Sequence, residues 1–166
     1  MALEIANGFE RTADVIELFD EYTKWIVSED PAVAEVLRAQ GYGEETASLD
    51  GKYGPPGGML LLALVDGAAA GCAALHAFGE EGACELKRLY VREAYRGRGA
   101  AGALVRRLLD FARERGYTHV LLDTLPFMRS AIGMYERLGF VRTGAYYPSP
   151  YEDTIYMRLD LCAHTY

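Results

Sequence analysis

One stretch constrains this chain more than any other. Cys84-Glu-Leu-Lys-Arg-Leu-Tyr-Val91 reads as a strand, Arg96-Gly-Arg-Gly-Ala-Ala101 as a loop of small residues, and Arg98–Arg115 as a helix. The helix carries Ala101, Leu104, Val105, Leu108, Leu109 and Ala112 on one stripe and stops at Gly116. A strand that passes through glycines into a helix start is built to hold phosphate groups. Free backbone N–H groups converge there, the helix dipole favours negative charge, and missing side chains allow close approach.

Two phosphate motifs can be tested against the loop. Gly97-Arg-Gly-Ala-Ala-Gly102 fits G-x-G-x-x-G, but no Lys-Ser/Thr follows for a P-loop. The elements before it also argue against a dinucleotide fold. Met59–Val65, the turn Asp66-Gly67 and Ala68–Phe78 form a hairpin signal, and Cys84–Val91 then makes a third antiparallel strand. The first βαβ unit of a dinucleotide-binding oxidoreductase does not begin with a meander. Upstream, 11–27 has helical period, Pro31–Gln40 reads as a short helix, and Gly41–Gly58 as an irregular loop on the substrate side. Downstream come a buried strand His119–Thr124, a helix Arg129–Leu138, and closing strands Phe140–Thr143 and Thr154–Leu159. No repeat or linker divides the 166 residues, so one domain over 1–166 is expected.

The net charge of −7 supplies no basic footprint for nucleic acid. By segment it is uneven. Residues 1–84 hold 4 bases and 15 acids, 85–115 hold 9 bases and 4 acids, and 116–166 hold 4 bases and 5 acids. The basic island encloses the glycine loop and suggests an anionic ligand. Arg106, Arg107, Arg113 and Arg115 have solvent-face spacing, whereas Arg96 and Arg98 lie in the loop itself. Cys72, Cys84 and Cys162 form no C-x-x-C pair, and His76, His119 and His164 lie far apart. Neither a disulfide framework nor a metal site is expected, and the thiols suit a reducing compartment. Met1-Ala-Leu-Glu opens no secretory leader, and the longest apolar run, Met59–Val65, is too short for a bilayer. A cytoplasmic location away from membranes is expected.

Arg96-Gly97-Arg98-Gly99-Ala100-Ala101 resembles the R/Q-x-x-G-x-G/A signature of the GNAT superfamily of acyl-CoA-dependent N-acyltransferases. Leu89-Tyr-Val91 before it, and Ala131-Ile-Gly-Met-Tyr-Glu-Arg-Leu-Gly-Phe140 after it, are similar to that family's elements. Element order agrees from Met59 to Leu159, while residues 1–58 match only loosely, as variable acceptor-side helices. The resemblance implies an α/β fold of mixed, α+β type: a central, mostly antiparallel twisted sheet with a V-shaped splay and helices on both faces. It implies acetyl-CoA as cosubstrate, with its pyrophosphate on the amides of Arg96, Gly97, Arg98, Gly99, Ala100 and Ala101. The pantetheine arm would lie along Leu89, Tyr90 and Val91 like an added strand. The N–H of Leu89 or Tyr90 would meet the oxyanion, and Met128 and Ala131 would contact the coenzyme. Met128 stands where the family often has Asn, and a thioether cannot replace an amide's donor and acceptor. Paired chains, as a homodimer, are common among such proteins.

Transfer to an amine needs a neutral nucleophile, a stabilised oxyanion and a proton for the leaving thiolate. By resemblance Tyr135, at a helix start near the thioester, protonates sulfur; a phenol of ordinary pKa about 10 can do so. The alternative is a core tyrosine packed under the sheet. Glu85 is the leading base candidate, on the strand where several members carry a catalytic glutamate. A carboxylate beside a half-buried cleft has its pKa raised toward a useful value; the alternative is a strand-face glutamate paired with Lys87 or Arg88. Cys84 alternates to the opposite strand face, away from a nucleophile's place. Tyr146-Tyr-Pro-Ser-Pro-Tyr151 either lines an acceptor pocket or forms a rigid loop, and Trp25 with Tyr22 reads as helix-face packing. The function expected is an N-acetyltransferase acting by direct attack on a primary amine of a small molecule, peptide or protein. The acidic first half tilts the acceptor toward a cation. The competing reading is a coenzyme-A-binding regulatory or sensor domain without turnover.

Overall fold

Side chains of a strand alternate between faces, and in this chain both faces are apolar over two consecutive strands. The computed structural model describes residues 2–161, so Cys162 and His164 lie outside the described residues. Its strands are β1 (Leu3–Asn7), β2 (Met59–Val65), β3 (Ala68–Ala77), β4 (Ala83–Val91), β5 (His119–Thr124), β6 (Val141–Thr143) and β7 (Ile155–Asp160). They form one sheet in the order β1-β2-β3-β4-β5-β7-β6. Leu61, Ala63, Ala73, Leu75, Cys84 and Leu86 pack on one face against Leu104, Val105, Leu108 and Leu109 of α5 (Ala100–Glu114). Leu60, Leu62, Leu64, Cys72 and Ala74 pack on the other against Val15, Leu18 and Phe19 of α1 (Thr12–Glu29) and Tyr53 of α4 (Leu49–Tyr53). α6 (Arg129–Arg137) joins the α5 face through Tyr135. α2 (Val33–Ala39) closes with α1 over Leu125. The mixed fold with helices on both faces is therefore as expected.

The Asp66-Gly67 turn has φ of 50° and 84°, the doubly positive geometry that suits the twist of a two-residue hairpin. Two differences from the expectation have a shared cause. β1 was not foreseen, because five residues without a turn signal acquire their shape by pairing Leu3–Asn7 along Val65–Leu61. Gly41–Gly58 is not an irregular loop: α3 (Tyr42–Ala47) and α4 occupy most of it. Burial of Glu45, Leu49 and Tyr53 holds these short helices, which weak local propensity alone would not. Among the described residues no helix is long and apolar enough to cross a membrane.

Two irregularities in β4 position everything that follows. Between the pairs Cys72↔Tyr90 and Ala74↔Lys87, Arg88 and Leu89 stand opposite Ala73 alone. This is a bulge, and Arg88 takes φ 61° to make it. The second is at β5, the strand that pairs parallel with β4. It pairs for three residues, Ala83↔His119 to Glu85↔Leu121, and the strands then diverge. The remainder of β4 and the end of β5 are the two sides of a wedge-shaped gap.

Candidate active site

The gap opens into a cleft of about 420 Å³. Its floor is Leu89, Tyr90 and Val91 of β4; its far end is Arg96, Gly97, Gly99, Ala100 and Ala101; its near side is Met128 and Ala131. Of the cofactor contacts implied by resemblance, all but Arg98 line it. Gly97 and Gly99 take φ of 78° and 83°, and a Cβ built on either meets no protein atom within 4 Å. Gly99 is the N-cap of α5 and supplies no side-chain cap. Ala103 N–H, bonded to the Gly99 carbonyl at 3.0 Å, takes the first carbonyl of the helix, so the amides of the first turn lie open at the cleft. A row of amides in a cradle with space for a Cβ fits a diphosphate.

Sequence reasoning missed part of the lining. Tyr22, Trp25, Tyr95, Gly102, Phe127, Arg129, Ser130 and Met134 also border the cleft. Trp25 and Tyr22 are not simply helix-face packing. Trp25 meets Phe127 edge-on at 5.8 Å, and Tyr22 meets Tyr90 at 5.9 Å, bridging α1 to both sides of the gap. The Arg96 guanidinium lies 5.9 Å from the centre of the Trp25 ring while its Nε donates to the Val91 carbonyl at 2.8 Å. Met128 receives a hydrogen bond on sulfur from Thr124 Oγ1 at 3.3 Å and from Tyr22 Oη at 3.9 Å.

Deeper in, a second cavity of about 50 Å³ shares Tyr22, Leu89, Met128 and Ala131 with the first and adds Tyr135, Lys87, Arg88, Gln40 and Asp123. Tyr135 is 5% exposed and packs its ring 5.6 Å from Phe140. It stands third from the end of α6, not at a helix start as expected; the cavity is reached because the helix face, not its terminus, borders the gap. Burial, and then the neighbouring Tyr22 and Asp123, raise its pKa and keep the phenol protonated.

Glu85 lies elsewhere. It is 3% exposed and borders neither cavity. His76 Nε2–H donates to its Oε1 at 2.8 Å, and Tyr146 Oη donates to its Oε2 at 2.6 Å. Burial opposes its ionisation, but the Lys87 charge and the His76 and Tyr146 hydrogen bonds outweigh that and hold its pKa down to about 2. The expected rise is thus corrected: the strand brings partners that stabilise the anion. Tyr146 and Tyr147 do not line either cavity; their hydroxyls reach Glu85 at 2.6 Å and Asp123 at 2.8 Å. Cys84 faces the core, and burial pushes its thiol up to about 12.

Much of the basic island is structural. Arg88 Nε and Nη2 donate to the two oxygens of Glu45 at 2.8 and 3.0 Å, and Lys52 adds a third bond at 2.8 Å. Arg92 holds Glu17 and Glu21 of α1. Burial opposes the Glu45 charge as well, yet the Arg88 and Lys52 contacts keep its pKa near 2. A carboxylate depressed from its ordinary 4.5 contributes stability that is complete above that value and lost as pH falls toward about 2. Melting temperatures measured from about pH 7 down to about pH 3 are therefore expected to fall most steeply below pH 4.5. A flat acid limb would contradict both carboxylate assignments.

Comparison with known proteins adds to this geometry. A family model described as "Acetyltransferase (GNAT) family" matches residues 13–140. An uncharacterized N-acetyltransferase of Schizosaccharomyces pombe is 40% identical over 126 residues, covering 75% of this chain and 77% of that protein. A putative acyl-CoA N-acyltransferase of Klebsiella pneumoniae superposes with a TM-score of 0.72 at 24% identity, over 96% of this chain and 97% of the other. A putative acetyltransferase of Salmonella typhimurium, solved with its cofactor acetyl-CoA, gives 0.68 at 20% identity over 100% and 98%. At these identities the two structures speak for the fold.

Proposed function

Since the chain belongs to the GNAT family of acetyltransferases, we propose that it transfers the acetyl group of acetyl-CoA to a primary amine by direct attack. The observation that carries this reading is the start of α5. Its first-turn amides, without a side-chain cap, face a cleft that runs along β4 to the cavity bordered by Tyr135.

Gly97 to Ala101 hold the diphosphate by backbone N–H groups at a positive helix end, with Arg96 beside them. Leu89, which stands in the bulge, or Tyr90 beside it offers an N–H to the oxyanion. Tyr135 gives its proton to the leaving sulfur. Glu85 acts at one remove, fixing the Tyr146 loop and the Lys87 ammonium that lies 4.0 Å away. The acceptor is a primary amine of a small molecule, peptide or protein. Cys72 and Cys84 are free and buried, in keeping with the cytoplasmic location expected from sequence. Pairing of two chains belongs to the same reading, and light scattering tests it.

Isothermal titration with acetyl-CoA is the direct test: saturable binding is expected, and no binding by the folded protein would overturn the reading. Gly99→Val is expected to weaken that binding about tenfold, through strain at φ 83° and a side chain in the cradle. Thiol release on adding amines then separates an enzyme from a binding domain.

A further inference from the structure

Among the described residues that border the inner cavity there is a single carboxylate, Asp123. It stands on β5 two positions past Leu121, the last residue paired to β4. The geometry points to Asp123 as the group that receives the acceptor's ammonium and takes its first proton, which makes the inner cavity the acceptor-amine subsite. This rests on the acetyltransferase reading above and names the side of the site that reading leaves open.

The two carboxylates nearest the gap are not equivalent. Glu85 has both oxygens occupied and borders neither cavity. The Asp123 side chain is 13% exposed. Tyr147 Oη and Gln40 Nε2 donate to its Oδ2 at 2.8 and 3.3 Å, and Lys87 Nζ lies 3.3 Å from its Oδ1. Every one of these partners is a donor, so the set supports a carboxylate and leaves Oδ1 with capacity for another.

Lys87 lies 3.3 Å from Asp123 and 4.0 Å from Glu85, while Glu85 is also met by His76 at 2.8 Å on the side away from the cavity. Arg88, the other cation at the cavity, is met by both oxygens of Glu45. His76 sits beyond Glu85, and the groups closest around Asp123 from the other elements, Gln40, Tyr22, Tyr135 and Tyr147, are neutral. The opposite wall is aliphatic: Ile26 of α1, Val33, Val36 and Leu37 of α2, and Leu125. A cavity of about 50 Å³ admits roughly three to five water-sized positions. The ligand class is thus a primary ammonium at the end of a short aliphatic segment, with the rest of the acceptor outside.

The proton account then balances. The ammonium gives one proton to Asp123 and becomes a neutral amine. The N–C bond forms, the C–S bond breaks, and its electron pair leaves on sulfur, which takes the proton of Tyr135. The second amine proton restores Tyr135, and Asp123 releases its own to solvent.

A probe that needs no identified acceptor tests this: S-(3-aminopropyl)-coenzyme A against the neutral S-butyl-coenzyme A, with coenzyme A itself as reference. In the wild type the ammonium ligand should bind at least tenfold tighter than the butyl ligand. Asp123→Asn should reduce that ratio to near one without changing coenzyme A affinity, and Glu85→Gln should keep it. No ammonium preference in the wild type, a ratio that survives Asp123→Asn, or an equal collapse in Glu85→Gln would each overturn the inference. Failure of coenzyme A itself to bind the wild type would instead overturn the acetyltransferase reading. If Asp123→Asn does not fold, the wild-type comparison still decides.

Discussion

Tyr135→Phe is expected to lower turnover by about 10²- to 10⁴-fold, the usual contribution of a positioned general acid. Acetyl-CoA affinity should hardly change. The ring fills space beside Phe140 and in the wall of the inner cavity, and phenylalanine keeps that packing. Only the proton is removed. Burial raises the phenol's pKa, so the wild-type group carries its proton throughout the neutral range and its own titration does not shape the rate there. The two measurements are therefore a pre-steady-state rate of thiol release and a binding isotherm on the same preparation. Unchanged turnover would remove Tyr135 from the acid role and leave it as a core residue. A loss of binding as large as the loss of rate would make its role structural.

Glu45→Gln is expected to be the most destabilising of the single changes considered. Arg88 is buried, with two of its nitrogens on the Glu45 carboxylate and the Tyr42 ring 5.3 Å away. Removing one member of a buried pair leaves the other charge uncompensated, at a cost of about 3–5 kcal/mol. For a chain of this size that is a fall in melting temperature of roughly 6–20 °C. The double variant Glu45→Gln/Arg88→Met should recover much of the loss, since a pair replaced by apolar groups of similar volume is close to neutral. Acetyl-CoA affinity separates stability from function, because neither residue lines the outer cleft. A melting temperature within about 2 °C of the wild type would show that Arg88 finds other compensation.

These predictions mark where the sequence was legible. The glycine loop could be read because its signal is local: a strand, two positive-φ glycines and an amphipathic helix lie within about thirty residues. The hairpin at Asp66-Gly67 was legible for the same reason. Tyr135 came through its flanking motif, although its position within the helix was misjudged. Glu45 could not be found, because its value depends on Arg88, a partner 43 positions away in sequence, and it lies in a stretch whose glycines read as loop. Glu85 was visible as a residue but the sign of its pKa shift was not. His76 and Tyr146 reach it from positions 9 and 61 residues away and turn a desolvated acid into a stabilised anion. Asp123 carried no signal either. A lone aspartate near the end of a strand becomes notable only when β5 leaves β4 and exposes the side of the gap on which it stands. Residues 1–58 were illegible in detail, although α1 and α2 contribute Tyr22, Trp25, Val33 and Leu37 to the cavity walls.

The three-residue pairing of β4 with β5 has one more consequence. It makes the molecule two half-sheets, β1 to β4 and β5 with β7 and β6, joined by a short seam at Ala83–Glu85 and His119–Leu121. Beyond the seam each strand edge presents backbone groups that no neighbouring strand answers. An extended ligand with amides of its own, laid in that gap, would supply the missing rungs. Such a substrate would be a temporary member of the sheet, while the core that both halves share beneath α5 holds them together with or without it.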